Sequence, residues 1–316
     1  MKLKNDIVKA EKRIRPFILK TPLVESLYLS GLSKARVFLK LESEQYTGSF
    51  KLRGATNKVL SLTEAEKKRG VVTASTGNHG QALARALQNT NIKGIVYVPE
   101  NADTSKVEAI RRYGITIKPY GTNSLATEIH ARKMAASRKM VWVSPYNDLQ
   151  IIAGQGTVGI ELAQQMKNID AVFVTVGGGG LISGIGIYLK SISPKTQMVA
   201  CLPENSPEMY TILKTRKFAE PIDNDTLSDG SAGGVEEGAI TCDICREVVD
   251  DFILVSEDEI KQAIRLMASI HYKIIEGAAG VALAAFLKQK RKYAGKNVAI
   301  VLCGGNIDSR KLKAIL

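Results

Sequence analysis

The stretch Thr47-Gly-Ser-Phe-Lys-Leu-Arg-Gly-Ala55 sets a single lysine, Lys51, between an aromatic residue and a leucine, with small residues on both sides. A lysine kept for solubility has no need of that setting. Lys51 opens a helix-like segment that runs to Lys68. At a helix start the backbone dipole disfavours an ammonium group, and burial beside Phe50 disfavours it further. Both effects push the side chain toward the free amine, the form that condenses with an aldehyde.

Three glycine-rich turns each follow an apolar, β-branched run. They are Thr73-Ala-Ser-Thr-Gly-Asn-His-Gly80, Val176-Gly-Gly-Gly-Gly-Leu-Ile-Ser-Gly184 and Leu302-Cys-Gly-Gly-Asn306. The four glycines Gly177, Gly178, Gly179 and Gly180 let the main chain fold into a nest of N–H donors, and a helix beginning near Leu181 adds its partial positive end. A dianionic phosphate is the natural guest. A dinucleotide would ask for Gly-x-Gly-x-x-Gly, but the last position falls on Ile182 or Ser183, and no lysine follows as a triphosphate loop requires. A reactive amine together with a phosphate cup points to pyridoxal 5′-phosphate.

The elements that must hold these groups read as alternating strands and helices. Strands are expected at residues 37–41, 70–73, 94–98, 115–117, 140–143, 171–176, 198–201, 252–255 and 298–302, with helical periodicity between them. That alternation predicts an α/β protein with doubly wound parallel sheets and a ligand beyond the carboxyl ends of the strands. No repeat or clean linker divides the chain. Pro221 to Gly234 is the longest stretch without either pattern, and its length marks it as a functional loop.

Of 316 residues, 45% are apolar and 24% charged, the balance of a soluble globular chain with room for two domains that share a cleft. No apolar run approaches the ~18 residues that a membrane span needs. The charged start, Met-Lys-Leu-Lys-Asn-Asp, is unlike a signal peptide, so a cytoplasmic location is expected. The net charge of +13 raises nucleic acid as a partner. No basic segment alternates with aromatics, however, and the lysines read as solvated helix faces. Cys201, Cys242, Cys245 and Cys303 are too few for a disulfide framework. Cys242-x-x-Cys245 has the spacing of half a zinc site, which neither a second such pair nor a suitable histidine pair completes.

Taken together, Ser49-Phe-Lys-Leu-Arg-Gly-Ala55, Ser75-Thr-Gly-Asn-His-Gly-Gln81, Gly177-Gly-Gly-Gly-Leu181 and Cys303-Gly-Gly-Asn306 resemble the serine/threonine dehydratase and serine racemase family of pyridoxal-phosphate enzymes. Ala153-Gly-Gln-Gly-Thr157, Ile275-Glu-Gly-Ala-Ala-Gly280 and Ser256-Glu-Asp-Glu-Ile260 match as well, so the resemblance runs end to end. It implies the tryptophan-synthase β-subunit-like fold, fold type II. The large domain would comprise residues 1–69 plus 148–316, and residues 70–147 would form a small mobile domain. A homodimer is implied too.

Residue by residue, the resemblance makes Lys51 the Schiff-base lysine and the base that moves the Cα proton. Phe50 would pack on the cofactor ring, Asn78 would bond its 3′-oxygen, and Gly177 to Gly180 would bind the phosphate. Ser75, with the main chain of Thr76, Asn78 and His79, would grip the substrate carboxylate. Glu276 would lie near the ring, and Cys303 would face the pyridine nitrogen. A neutral thiol there is a weak donor, which favours prompt loss of a β-leaving group. The activity implied is dehydration and deamination of a β-hydroxy amino acid, L-threonine or L-serine for example, to a 2-oxo acid and ammonia. Racemisation by the same fold is the alternative, and a non-catalytic binder of the cofactor or of nucleic acid is the alternative of another class.

Three departures qualify the resemblance. Thr76 stands where the racemases have a serine that reprotonates Cα and the dedicated threonine dehydratases have alanine. The cation site of the racemases is represented by Leu202-Pro-Glu-Asn-Ser-Pro-Glu208, in which Glu208 and Ser206 remain but Leu202 replaces the first carboxylate. Dependence on a divalent cation is therefore not expected. The chain ends at Leu316 where longer biosynthetic dehydratases continue, so feedback inhibition is not expected either. Small residues in Ser228-Asp-Gly-Ser-Ala-Gly-Gly-Val235 leave room for a bulkier β-hydroxy substrate.

Overall fold

The computed structural model describes residues 2–218 and 224–316. Ten strands form two sheets: β1 (Leu23–Glu25), β2 (Arg36–Leu41), β3 (Val71–Ala74), β4 (Gly94–Val98), β5 (Thr116–Pro119), β6 (Val141–Trp142), β7 (Ala171–Thr175), β8 (Gln197–Pro203), β9 (Asp251–Val255) and β10 (Asn297–Leu302). The larger sheet has the order β1-β2-β10-β7-β8-β9 and the smaller one β5-β4-β3-β6. Every residue of β7 is buried, as are Val298 to Leu302 of β10. These central strands are covered on both faces, which is why they read as unbroken apolar runs.

The nine expected strands all form, and their pairings with one another are parallel. Two expectations need correction. A tenth strand, β1, pairs antiparallel with β2 at the sheet edge. It has only three residues, too few to show a period. The helix expected from Lys51 to Lys68 is two helices, Lys51–Leu60 and Glu64–Arg69. Thr63 starts the second by accepting from the Glu66 N–H while Glu66 accepts from the Thr63 N–H, a reciprocal cap that outcompetes a continuous helix. Of the loop Pro221 to Gly234, residues 221–223 lie outside the described residues.

Three helices meet almost backbone to backbone beneath the turns. A Cβ on Gly154 would come within 2.6 Å of the Arg53 carbonyl, and one on Gly184 within 2.5 Å of the Gly156 nitrogen. The stretch Ala153-Gly-Gln-Gly-Thr157 thus lets the helix Leu149–Gln165 lie between Lys51–Leu60 and Gly180–Ile192. That contact fixes the lysine helix against the tetraglycine helix.

Candidate active site

The turns after β3, β7 and β10 open into one cleft. Phe50, Lys51, Asn78, Gly177 to Gly180, Glu276 and Cys303 all line it. Ser75, Thr76 and His79 are not among the lining residues; they belong to the turn that carries Asn78 into the helix Asn78–Thr90. Ser75 Oγ accepts the Gly77 N–H at 3.2 Å and shapes that turn. His79 is buried and its Nε2–H donates to the Val143 carbonyl at 3.2 Å. Burial and the charge of Lys51 push His79 down to about 3, so its ring is neutral.

Lys51 begins its helix with no side-chain cap, because Phe50 stands at the cap position. Its Nζ donates to the Pro145 carbonyl at 2.9 Å. Burial lowers its pKa to about 8 against the pull of Cys303 and Glu276. A substantial fraction is therefore free amine near neutral pH, about one part in ten at pH 7. The loop that presents it is sewn to the turn after β10: the Phe50 N–H donates to the Cys303 carbonyl at 3.0 Å and the Gly305 N–H to the Gly48 carbonyl at 2.9 Å.

Burial and the neighbouring Glu276 raise the Cys303 thiol well above its usual range, so it stays neutral. Glu276 sits at the cap position of the helix Gly277–Gln289 and is buried. Burial raises its carboxyl to about 7, although Asn78 donates to both of its oxygens at 2.8 and 3.0 Å. The cleft therefore holds an amine and a carboxyl that both titrate close to neutrality.

The four glycines of the cup, Gly177 to Gly180, meet three nearest neighbours, with Tyr146 facing two of them. A Cβ on Gly177 would lie 2.6 Å from the Ser231 carbonyl, and one on Gly178 would lie 2.3 Å from Tyr146 Cγ. At Gly180 it would press on Tyr146 at 3.2 Å. Only Gly179 has a positive φ, +81°, and its Cβ would meet Cys245 Sγ at 2.9 Å. Close approach, more than unusual backbone angles, explains three of the four. Gly179 and Gly180 start a 13-residue helix, so the cup has free N–H groups and a positive helix end. A phosphate fits this bare main chain, and an aldehyde fits the amine opposite it.

Sequence reasoning missed Tyr146, Gln155, Thr175 and Ser231, all of which line the cleft. Gln155 lay within a quoted stretch, and its Oε1 accepts the Gly54 N–H at 3.2 Å. Tyr146 carried no local signal. The Cys242-x-x-Cys245 pair lies on the helix Ile240–Val248, both thiols buried, with Cys245 beneath Gly179. In the cation segment Leu202 is buried, Glu208 accepts from Ser206 Oγ at 2.6 Å, and Glu204 faces outward 3.5 Å from Lys288.

Comparison with known proteins agrees with this geometry. Residues 14–304 match the family described as pyridoxal-phosphate dependent enzyme. The chain is 38% identical over 315 residues to L-threonine dehydratase catabolic TdcB of Staphylococcus aureus, covering 98% of this chain and 91% of that one. It superposes on serine racemase from Dictyostelium discoideum with a TM-score of 0.89 and 39% identity, over 96% and 98% of the two chains. With the processed form of threonine deaminase isoform 2 from Solanum lycopersicum the TM-score is 0.94 at 31% identity, over 99% of this chain and 87% of the other. With a family match over most of its length and this superposition, the chain belongs to the pyridoxal-phosphate-dependent enzymes of fold type II.

Proposed function

We propose that this protein is an ammonia-lyase acting on a β-hydroxy amino acid such as L-threonine or L-serine, with a 2-oxo acid and ammonia as products. The observation that carries this reading is the pairing of an amine drawn toward neutrality, Lys51, with a neutral thiol, Cys303, in one cleft. When bound, pyridoxal phosphate supplies an aldehyde carbon for an amine and a ring that draws electrons from Cα. Gly177 to Gly180 would hold its phosphate, Phe50 would cover its ring and Asn78 would bond its ring oxygen. Cys303, a neutral thiol, would be only a weak donor to the ring nitrogen and would leave it unprotonated, which favours loss of a β-substituent. Lys51 takes the Cα proton. The main-chain N–H groups of Thr76, Asn78 and His79, with Ser75, orient the carboxylate.

The relatives named threonine dehydratase and threonine deaminase support this substrate class. The test is Lys51→Ala, which should lose both the visible absorbance of the cofactor and 2-oxo acid release from L-threonine and L-serine. Borohydride reduction of the wild type should leave a pyridoxyl adduct on Lys51. Undiminished turnover in the variant would overturn the reading.

Racemisation is the second reading, favoured by the hydroxyl of Thr76 and by the likeness to a serine racemase. Thr76→Ala separates the two, because loss of racemisation alone would mark a proton donor on the second face. The Leu202 substitution supports turnover without a divalent cation, and activity that survives EDTA is the expected outcome.

The two sheets support a mobile unit near residues 70–147 that closes on the remainder, residues 1–69 plus 148–316. Homodimer formation is supported by exposed apolar side chains around the Ser26–His271 contact: Leu27, Tyr28, Ile270 and Tyr272, the last 88% exposed.

A further inference from the structure

We propose that Asn306 is a positioning residue that sets which way the Asn78 amide faces, and that residue 48 is glycine in order to admit it. This inference rests on the reading above, in which Asn78 serves the cofactor.

Asn306 ties together three segments that are remote in the chain. Its Nδ2 donates to the Thr47 carbonyl at 2.8 Å and to Asn78 Oδ1 at 2.7 Å. Its main-chain N–H donates to Glu276 Oε2 at 3.2 Å. Asn78 Nδ2 donates to both Glu276 oxygens. A circuit results: lysine loop, helix start of the small sheet, and the glutamate of the large one.

The two ends of an amide have the same shape and differ only in that one donates and the other accepts. Asn306 removes that ambiguity. With Oδ1 claimed by a donor, Nδ2 of Asn78 must face Glu276 and the cleft. Turned over, Asn78 would set its NH2 against that of Asn306 and, with Glu276 ionised above its pKa of about 7, its oxygen against a carboxylate. Both contacts would be repulsive.

Gly48 makes the circuit sterically possible. Its φ is +70°, and a Cβ there would sit 2.4 Å from Asn306 Oδ1 and 2.9 Å from Asn306 Cγ. The third nearest atom, at 3.0 Å, is also in the Asn306 amide. Any side chain at position 48 therefore displaces Asn306 before it meets anything else.

The test measures cofactor affinity of the apoprotein by absorbance titration, together with the absorbance maximum of the bound form and the melting temperature of the apo form. Asn306→Ala should weaken cofactor binding by about tenfold, the scale of one lost hydrogen bond. Asn306→Asp should weaken it further, by about a hundredfold, because a carboxylate beside Oδ1 turns the Asn78 amide over. Gly48→Ala should reproduce the Asn306→Ala effect. In an Asn78→Ala background the Asn306 substitutions should change affinity by less than about twofold.

An aspartate penalty that persists without Asn78 would show that position 306 acts through Thr47, and would overturn the proposal. So would affinity within about twofold of wild type in Asn306→Ala. Should Asn306→Asp fail to fold, the alanine variant in both backgrounds makes the same comparison. A wild-type protein that takes no cofactor would instead defeat the functional reading and be recognised as such.

Discussion

The ring of Tyr146 lies so close to the main chain of Gly178 that a Cβ there would fall 2.3 Å from Tyr146 Cγ. The far end of that ring is held as well, its hydroxyl accepting the Glu236 N–H at 2.8 Å. The aromatic ring thus forms a wall of the glycine cup, and glycine at 178 is a condition for it.

Gly178→Ala should therefore push the ring out of place and narrow the cup. Overpacking of this kind costs ~1–3 kcal/mol. A fall in cofactor affinity of at least about tenfold is expected from fluorescence titration, and Tyr146→Ala in the same chain should recover part of it.

The pH dependence of the apoprotein should have two limbs. Glu276 has its pKa raised from 4.5 to about 7, so the folded state binds more protons than the unfolded one between those values, and stability falls as pH rises through that window. Lys51 has its pKa lowered from 10.5 to about 8, so the unfolded state binds more protons between pH 8 and 10.5, and stability rises there. Urea denaturation across pH should show a shallow minimum between the limbs. Glu276→Gln should flatten the acid limb and Lys51→Met the alkaline one.

Arg53, two residues beyond Lys51, is fully buried and bonds Glu42 at 2.7 Å and Glu161 at 2.8 Å. Lys40 joins Glu161 at 2.6 Å. Burial opposes ionisation of Glu161, yet Arg53 and Lys40 hold it down at about 2. Removing the guanidinium in Arg53→Met leaves charge without compensation and should cost ~3–5 kcal/mol in equilibrium unfolding. Arg53→Lys should recover only part, because an ammonium cannot bind both carboxylates through a planar fork.

Between the helix Thr104–Arg111 with its cap Asp103 and the rest of the chain, Lys106 pairs with Asp229 at 2.9 Å and Arg310 with Asp103 at 2.5 Å, while Lys311 also reaches Asp229 at 3.5 Å. Lys106 and Asp103 belong with the small sheet, and their partners with the loop beside the cup and the last helix, Ser309–Ile315. Such exposed pairs contribute at most ~1 kcal/mol each and are screened by salt. Asp229→Asn should raise KM a few-fold, by about 2–5 times at low salt, with the difference gone by about 0.5 M salt.

Much of the site was legible because its parts are local. The lysine between Phe50 and Leu52, the glycines after β3, β7 and β10, and Cys303 at a strand end each announce themselves within a few residues. The central strands β7, β8 and β10 were legible for the same reason, since their apolar runs reflect burial on both faces. The short edge strand β1 had too few residues to show a pattern, and the break at Thr63 lay hidden in a segment of good helix formers. Tyr146 and the role of Asn306 had no local signature at all.

From its sequence alone, this chain was bound to make alternating strands and helices, with bare main chain at strand ends and one lysine set between an aromatic residue and a leucine. Those properties follow from side-chain volume, periodicity and backbone freedom, which act between near neighbours. Tertiary structure alone decided that Tyr146 would wall the cup, that Gly154 and Gly184 would bring three helices together, and that Asn306 would reach Asn78 across 228 positions of chain. Such contacts depend on the docking of segments far apart in sequence, and burial among those segments is also what brings Lys51 and Glu276 near neutrality.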